Sequence, residues 1–337
     1  MSDEDEKVVL RAEEVLPVDG SEDVSHLLRV ASLPGMPDDA EALAEEDDEN
    51  AEYLPSDATE WVVTVEFEGS PRLNPHQVTE EFDQAWREKY GGLLTYGRDA
   101  KTGLWSFAIS SDGPKAVTSL KFAWCDVREP EDAEGPAPTA ALYAARLAEV
   151  QKKVSRFGRA RVTANLTPEE AELRTNEHQA LKERLDGAVV VKLVAPEGPG
   201  FEGRDVWDVM LCLGLEWGDM DCFHWINDTS FGDDFLFSVE TSTEPGYFLP
   251  EEIAAGTVLV EDLVFVYSIP RSPAPVAVFD AMLGAIDYVK GRLGGEVRDA
   301  DGETLDIDAT RRSIEAIDAE LRESGFLPGA PDTLRLF

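Results

Sequence analysis

The sequence predicts an α+β protein made of two tandem split β-α-β domains, each an antiparallel sheet with helices on one face. Three observations carry this. The 337 residues, 43% of them hydrophobic, are enough for two ordinary domains, each with its own core. The order β-α-β-β-β-α-β-α is legible twice, at a spacing of about 130 residues, which is the signature of duplicated domains and not of a solenoid. Consecutive strands are joined by hairpin-like turns, and helices come before and after them, as in antiparallel sheets covered on one side.

The chain opens with a segment, residues 1–58, whose runs SDEDE, PDDAEALAEEDDENAE and PSDATE are charged and poor in core residues. It is expected to stay disordered and apart from the domains, since so few apolar residues do not offset chain entropy. Two apolar islands interrupt it, Val8–Leu10 and Val24–Leu33.

The first domain is expected over residues 59–186. WVVTVEF alternates as a strand from Trp61. A single helix runs from the cap Asn74-Pro75 to Gly91-Gly92. LLTYGRD, LWSFAISS and AVTSLKFAWCDV read as three strands separated by AKTG and DGPK turns. A long amphipathic helix follows from Thr139, then a short strand. Thr167-Pro168-Glu169-Glu170 opens another helix. The helix-free face of this sheet is expected to carry Val62, Thr64, Glu66, Ser106, Ala108, Lys121 and Ala123, a polar set.

The second domain is expected over 187–327, with 328–337 as a tail. Its strands are GAVVVKLVA, DMDCFHWI, FLFSVETS and DLVFVYSIP; its helices are RDVWDVMLCLG, PVAVFDAMLGAIDYVKGRLGG and DATRRSIEAIDAELRESG. The helix pairs near 142–185 and 276–325 echo each other most clearly. Lys192 needs solvent, so Val190 shares its outward face while Val189, Val191 and Leu193 point to the core. By the same alternation Phe237 and Val239 are internal against Glu240 and Ser242, and Leu263, Phe265 and Tyr267 are internal against Val264 and Val266.

Composition bounds the function. The formal net charge is −39, and residues 1–60 alone hold 20 acids against 3 bases. Such a field repels nucleic-acid phosphates and anionic lipids. The sequence has no run of 18 apolar residues, and its acidic start MSDEDEK is unlike a secretory signal. A cytoplasmic protein with no direct membrane insertion is therefore expected. Cys125, Cys212 and Cys222 are odd in number and form no CxxC pair, which points to reduced, mostly buried thiols.

No catalytic, cofactor or metal site is expected. Asp219, Asp221 and His224 are close in sequence, but strand alternation separates His224 from the two acids. DADGETLD (299–306) lacks the later bidentate glutamate of an EF-hand and reads as a solvated turn. GxGxxG, P-loop and GxSxG motifs are missing, and the four histidines form no nucleophile–base pair. The seven tryptophans are expected in cores, except Trp225, which is expected to be partly exposed.

The second half also carries an ordered set of short motifs: GLEWGDMDCFHW (214–225), FLFSV…EPGYF (235–248), VFVYSIP (264–270) and AIDYVKGRLGGEV (285–297). Together these resemble the C-terminal domain of the bacterial cell-division protein ZipA, partner of the tubulin-like FtsZ. The first half keeps only the element order. The resemblance implies a non-enzymatic module whose open, apolar sheet face takes a short hydrophobic peptide from the FtsZ C-terminus. By position the implied partner-binding residues are Ala188, Val190, Met220, Cys222, Glu240, Ser242, Val264 and Val266. Glu240 and Glu244 depart from the family pattern; beside an acidic tail they would repel, and they would favour a ligand with a basic flank. An acidic scaffold of the same fold with another partner is the alternative.

Overall fold

In a computed structural model, the described residues are 15–16, 22–28, 52–69, 72–110, 113–127, 138–229 and 231–337. The Val8–Leu10 island, most of the acidic tail and most of the PEDAEGPAP loop lie outside them. The chain divides into two compact units, one of residues 44–184 and one built mainly of residues 185–335. Both are mixed helix and antiparallel sheet. Among the described residues, no helix is long and apolar enough to cross a membrane.

In the first unit the order is β1 (Glu60–Phe67), α1 (Pro75–Glu80), α2 (Gln84–Tyr90), β2 (Leu94–Asp99), β3 (Trp105–Phe107), β4 (Val117–Cys125), α3 (Ala140–Val154), β5 (Ala160–Ala164) and α4 (Pro168–Leu185). The single helix expected over 75–90 is broken in two. Asp83 leaves the helical conformation and its carboxylate caps the second piece, accepting from the Trp86 amide at 2.9 Å. Phe82 is buried at the break. The predicted start of α4 is a capping box: Thr167 Oγ1 accepts from the Glu170 amide at 3.3 Å, and the Glu170 carboxylate accepts from the Thr167 amide at 2.8 Å.

Strand order is β3-β2-β4-β1-β5, all neighbours antiparallel. The core holds Trp61, Val63, Val65, Phe122 and Trp124 from the sheet against Phe82, Trp86, Tyr143 and Val150. The open face differs from expectation at β3. Tyr96 pairs with Phe107 and Arg98 with Trp105, so Trp105 and Phe107 share the face of Val62, Lys121 and Ala123, and Ser106 and Ala108 do not. The core is already filled by aromatics from other elements, so this short edge strand is free to turn its large side chains outward.

In the second unit the order is β6 (Ala188–Val194), β7 (Phe201–Glu202), α5 (Gly203–Cys212), β8 (Glu216–Trp217), β9 (Phe223–Ile226), β10 (Phe235–Glu240), α6 (Pro250–Ala254), β11 (Leu259–Val260), β12 (Asp262–Ser268), α7 (Pro275–Leu293), β13 (Glu296–Asp299), α8 (Ile307–Glu323) and α9 (Pro331–Leu336). The main sheet runs β13-β6-β12-β10-β9-β8. Val191, Phe265, Val239 and Phe237 pack against Val206, Trp207, Met210, Phe279, Met282 and Ile286 of α5 and α7. Trp225, expected to be partly exposed, is buried in this core. The turn after β13 is closed by Asp299, whose carboxylate accepts from the amides of Asp301 (3.0 Å) and Glu303 (2.8 Å).

The two sheets share part of their strand order. β5-β1-β4 corresponds to β13-β6-β12, and beyond it β2 and β10 occupy equivalent places with equivalent directions. The next place is filled by β3, which follows β2 in the chain, and by β9, which precedes β10. The hairpin is thus threaded in opposite senses. A period-two pattern marks a strand but carries no information on which neighbour it takes.

The expectation of free tails is overturned at the described residues. Val24 and Leu28 are buried in the second unit's core, and the Val24 amide donates to the Cys212 carbonyl at 2.9 Å. Trp207 Nε1 donates to the Leu16 carbonyl at 2.9 Å. In the first unit the Tyr53 amide donates to the Trp105 carbonyl at 2.9 Å, and Pro55 is buried. At the other terminus α9 replaces the expected tail: Thr333 is fully buried and Arg271 donates to the Leu334 carbonyl at 3.3 Å. Average composition hid these short anchors, each of which supplies apolar area or a backbone bond locally.

Val24 and Leu28 therefore belong to the second unit's core, with Leu16 packed against it. Replacing Val24 and Leu28 together by Asp should destabilise this unit by about 3 kcal/mol or more, from two lost apolar burials of about 1.5–3 kcal/mol each. Urea unfolding followed by far-UV circular dichroism reads this; an unchanged midpoint would mean that the segment does not pack there.

Candidate peptide-binding face of the second sheet

The site is built by the register of β12 between β6 and β10. Val266 stands opposite Val190 on one side and Ser238 on the other, and Val264 stands between Lys192 and Glu240. Continuing outward, Ser238 pairs with His224, His224 with Glu216, and Lys192 with Arg298. Side chains at directly paired positions share a face. The open face therefore carries two rows. One reads Val190, Val266, Ser238, His224, Glu216. The other reads Arg298, Lys192, Val264, Glu240.

The expected site residues fall in different places. Ala188 is exposed at the start of β6, and Val190 and Val266 are half-buried neighbours at the centre. Val264 is on this face but only 6% exposed, flanked by Lys192 and Glu240. Glu240 is exposed at the end of β10. Ser242 lies beyond the strand: its amide donates to Asp262 at 2.8 Å and its hydroxyl bonds the same carboxylate. It closes the end of the sheet, and the alternation that placed it with Glu240 stops at residue 240.

Met220 and Cys222 belong to a turn between β8 and β9, where a continuous strand was expected. Met220 and Asp221 both have φ of 56°, a left-handed conformation that costs an L-residue roughly 1–2 kcal/mol. Neighbours hold the turn in place. The Gly218 amide donates to the Cys222 carbonyl at 3.0 Å, Asp221 donates to Gly218 at 2.9 Å, and Phe248 donates to Asp221 at 2.9 Å. The result is a Met220 side chain 79% exposed, the most exposed large hydrophobic among the described residues.

His224 explains the spacing of GDMDCFH. Its Nε2 lies 2.8 Å from the Asp219 carbonyl, which can only accept, so Nε2 carries a proton. Its Nδ1 lies 2.8 Å from the Ser238 hydroxyl, which donates to it when the ring is neutral. The imidazole thus ties the Met220 turn to the centre of the sheet, and it stacks on Phe235 with ring centroids 4.0 Å apart. The Asp219 backbone carbonyl makes this contact with the histidine. Sequence reading put His224 on the face opposite the two acids, but its structural tie to the turn was not legible.

Two cations enter this face. Lys192 and Arg298 sit beside the Val190–Val264–Val266 stripe, with Glu296 bonded to Arg298. Glu240 is on the other side of the stripe. The charge on this face is therefore divided, cationic on the β13–β6 side and anionic on the β10 side. Cys222 is buried near that anionic side. Burial pushes its thiol up to about 11, and the carboxylates of Glu240, Asp221 and Asp219 add to the rise.

This geometry is matched by similarity. Residues 188–316 match the family model described as ZipA, C-terminal FtsZ-binding domain. The matched span begins at β6 and ends within α8, and so contains every strand of the open face. The cell division protein ZipA of Shewanella loihica is 32% identical over 111 residues, covering 33% of this chain and 32% of that protein. ZipA of Marinobacter nauticus is 29% identical over 163 residues, covering 48% and 46% respectively. ZipA of Ectopseudomonas mendocina is 30% identical over 115 residues, covering 34% and 41%. The chain thus spans between about a third and a half of the length of these curated relatives.

The raised Cys222 thiol has a chemical consequence. Near pH 8 a thiol at about 11 is ionised in roughly one molecule in a thousand, and only the thiolate attacks. Iodoacetamide should therefore label the exposed Cys125 first and leave Cys222 unmodified until the chain is denatured. Peptide mapping by mass spectrometry would show this; equal labelling of Cys125 and Cys222 in the folded protein would contradict it.

Proposed function

We propose that the open face of the second sheet binds an extended peptide, that the peptide is the FtsZ C-terminal tail, and that the protein acts in bacterial cell division as a binding module without catalysis. The observation that carries this is the coincidence of the matched span with the face that bears Val190, Val266 and the projecting Met220. A half-buried apolar stripe rimmed by charge is the anatomy of a peptide surface, with apolar anchors for affinity and charged flanks for register. Ala188, Val264 and Cys222 form its floor and edge, Glu240 its anionic rim; Ser242 supports the end of β10.

The cations Lys192 and Arg298 answer the difficulty raised by Glu240. An acidic tail is accommodated when its carboxylates lie on the β13–β6 side and its apolar side chains on the valines. In this reading Glu240 sets the direction of the peptide and does not exclude it. The protein would be cytoplasmic and recruited to the division site by this contact. We further read the first unit as a divergent tandem copy of the second, supported by the shared strand order and by the helix that follows the last strand of each sheet. The same fold serving as an acidic adaptor for another protein is the alternative, favoured by the departures at Glu240 and Glu244.

A labelled FtsZ C-terminal peptide titrated onto the full chain tests this by fluorescence anisotropy. Val266→Asp should reduce affinity by about tenfold or more, as expected for a charge placed in a desolvated contact. Met220→Gly should also weaken binding while keeping stability within about 1 kcal/mol, because glycine relieves the left-handed strain but adds unfolded-state entropy. Absence of binding to the wild-type chain would exclude FtsZ and leave the adaptor reading. Binding unchanged in both variants would move the site elsewhere.

A further inference from the structure

The open face of the first sheet has a polarity of its own. At one end lies Leu94; the Ala108 amide donates to the Thr95 carbonyl at 2.8 Å, and Ile109 stands in the turn that follows β3. Phe107 follows, with Tyr53 at 5.7 Å between ring centroids and Tyr96 at 4.9 Å. Tyr53, Leu94, Phe107 and Ile109 are 53, 41, 39 and 46% exposed, four of the ten large hydrophobics that stand out from the described surface. Leu94 and Phe107 share one sheet face, Tyr53 packs on Phe107 and Ile109 is two residues further on, and grouping of this kind distinguishes a contact patch from scattered exposed side chains. Beneath them Val62, Tyr96 and Ala123 form a packed floor.

The other end of the same face is cationic. Arg98 pairs with Trp105 across the β2–β3 ladder, and Lys121 Nζ lies 5.2 Å from the centroid of the Trp105 ring. Of the carboxylates nearby, Asp99 caps its own turn through the amides of Lys101 (2.6 Å) and Thr102 (2.8 Å), and Glu52 accepts from the Trp105 amide at 3.3 Å; Glu66 is exposed on the same face, with Arg161 at the paired position of β5. In a chain with 69 acids and 30 bases, this sheet end places two cations, Arg98 and Lys121, beside one aromatic ring.

We propose that this face is a second docking surface, for an extended peptide with an apolar segment and an acidic flank. The apolar side chains rest on Leu94, Ile109 and Phe107, and the acidic flank reaches Arg98 and Lys121. Charge complementarity selects this occupant: a basic segment would meet the two cations, and a wholly apolar one would leave them desolvated. The surface is distinct from the valine stripe of the second sheet and needs no assumption about what that stripe binds.

The experiment uses the full chain and two labelled ten-residue peptides, one with four aliphatic or aromatic residues followed by an aspartate-rich flank, the other with lysine in place of each aspartate. Global charge favours the lysine peptide; the local face favours the aspartate peptide. The inference expects the aspartate peptide to bind about tenfold more tightly, and more weakly as salt rises from about 50 mM to about 500 mM, since screening removes a local attraction. All measurements are made in a Val266→Asp background, which removes the valine stripe as a competing site for such a peptide, and there Phe107→Asp and Lys121→Glu should each reduce its affinity about tenfold. Phe107 and Lys121 lie outside the first core, and Lys121→Glu keeps the test valid if Phe107→Asp disturbs the fold. Tighter binding of the lysine peptide, or aspartate-peptide binding that survives both first-sheet variants, would overturn the inference.

Discussion

What the second sheet can offer a ligand depends on the register of β12. This strand pairs on both sides, with Phe265 between Val191 and Val239 and Val266 between Val190 and Ser238. A slip of one residue by β12 would bring Phe265 to the surface, and the same slip by β6 or β10 would drive Lys192 or Glu240 inward. Burying two such charges without partners costs several kcal/mol each, so the phase is strongly determined. The requirement that hides Phe265 from water therefore also aligns the valines, the lysine and the glutamate on the opposite face. Core and candidate site come from one constraint.

Alternation explains why so much of this face was legible. Val190, Lys192, Glu240, Val264 and Val266 lie on strands long enough for a period of two to be read, and each is on the side its sequence neighbours dictated. Ser242 and Met220 lie outside such strands. Ser242 is captured by the buried Asp262, and Met220 sits in a left-handed turn whose geometry comes from partners at residues 218, 222 and 248. Distant hydrogen bonds of this kind have no local signature. The same limit explains β3, where three residues give too short a pattern to set the phase of Trp105 and Phe107. Strand order was also not legible, because pairing choice is decided by loop threading and not by side-chain period.

The N-terminal segment teaches a related point about composition. Averaged over residues 1–58 its acidity predicts disorder, yet Leu16, Val24, Leu28, Tyr53 and Pro55 each find a contact among the described residues. A segment need not be apolar along its whole length to dock. It needs a few apolar side chains and backbone donors spaced to meet a prepared surface. The carbonyl of Cys212 at the end of α5 provides one such partner, since the last carbonyls of a helix find no donor within it. Val24 satisfies it and buries its own side chain in the same step.

The total charge of −39 bears on ligand choice less than it first suggests. At physiological salt the Debye length is about 8 Å, so a peptide on a sheet responds mainly to charges within a strand or two. On the second sheet those include Lys192 and Arg298, the latter paired with Glu296, on one side of the valines and Glu240 on the other; on the first they include Arg98 and Lys121 beside Trp105, with Glu66 on the same face. Long-range repulsion would slow the approach of an acidic partner, and the local pattern would govern how long it stays. Acidic surface elsewhere then raises selectivity: it discourages nucleic acids and anionic lipids, which present extended negative charge, while a short tail with few carboxylates can place each one beside a cation. A strongly acidic protein can in this way be a specific receptor for an acidic peptide.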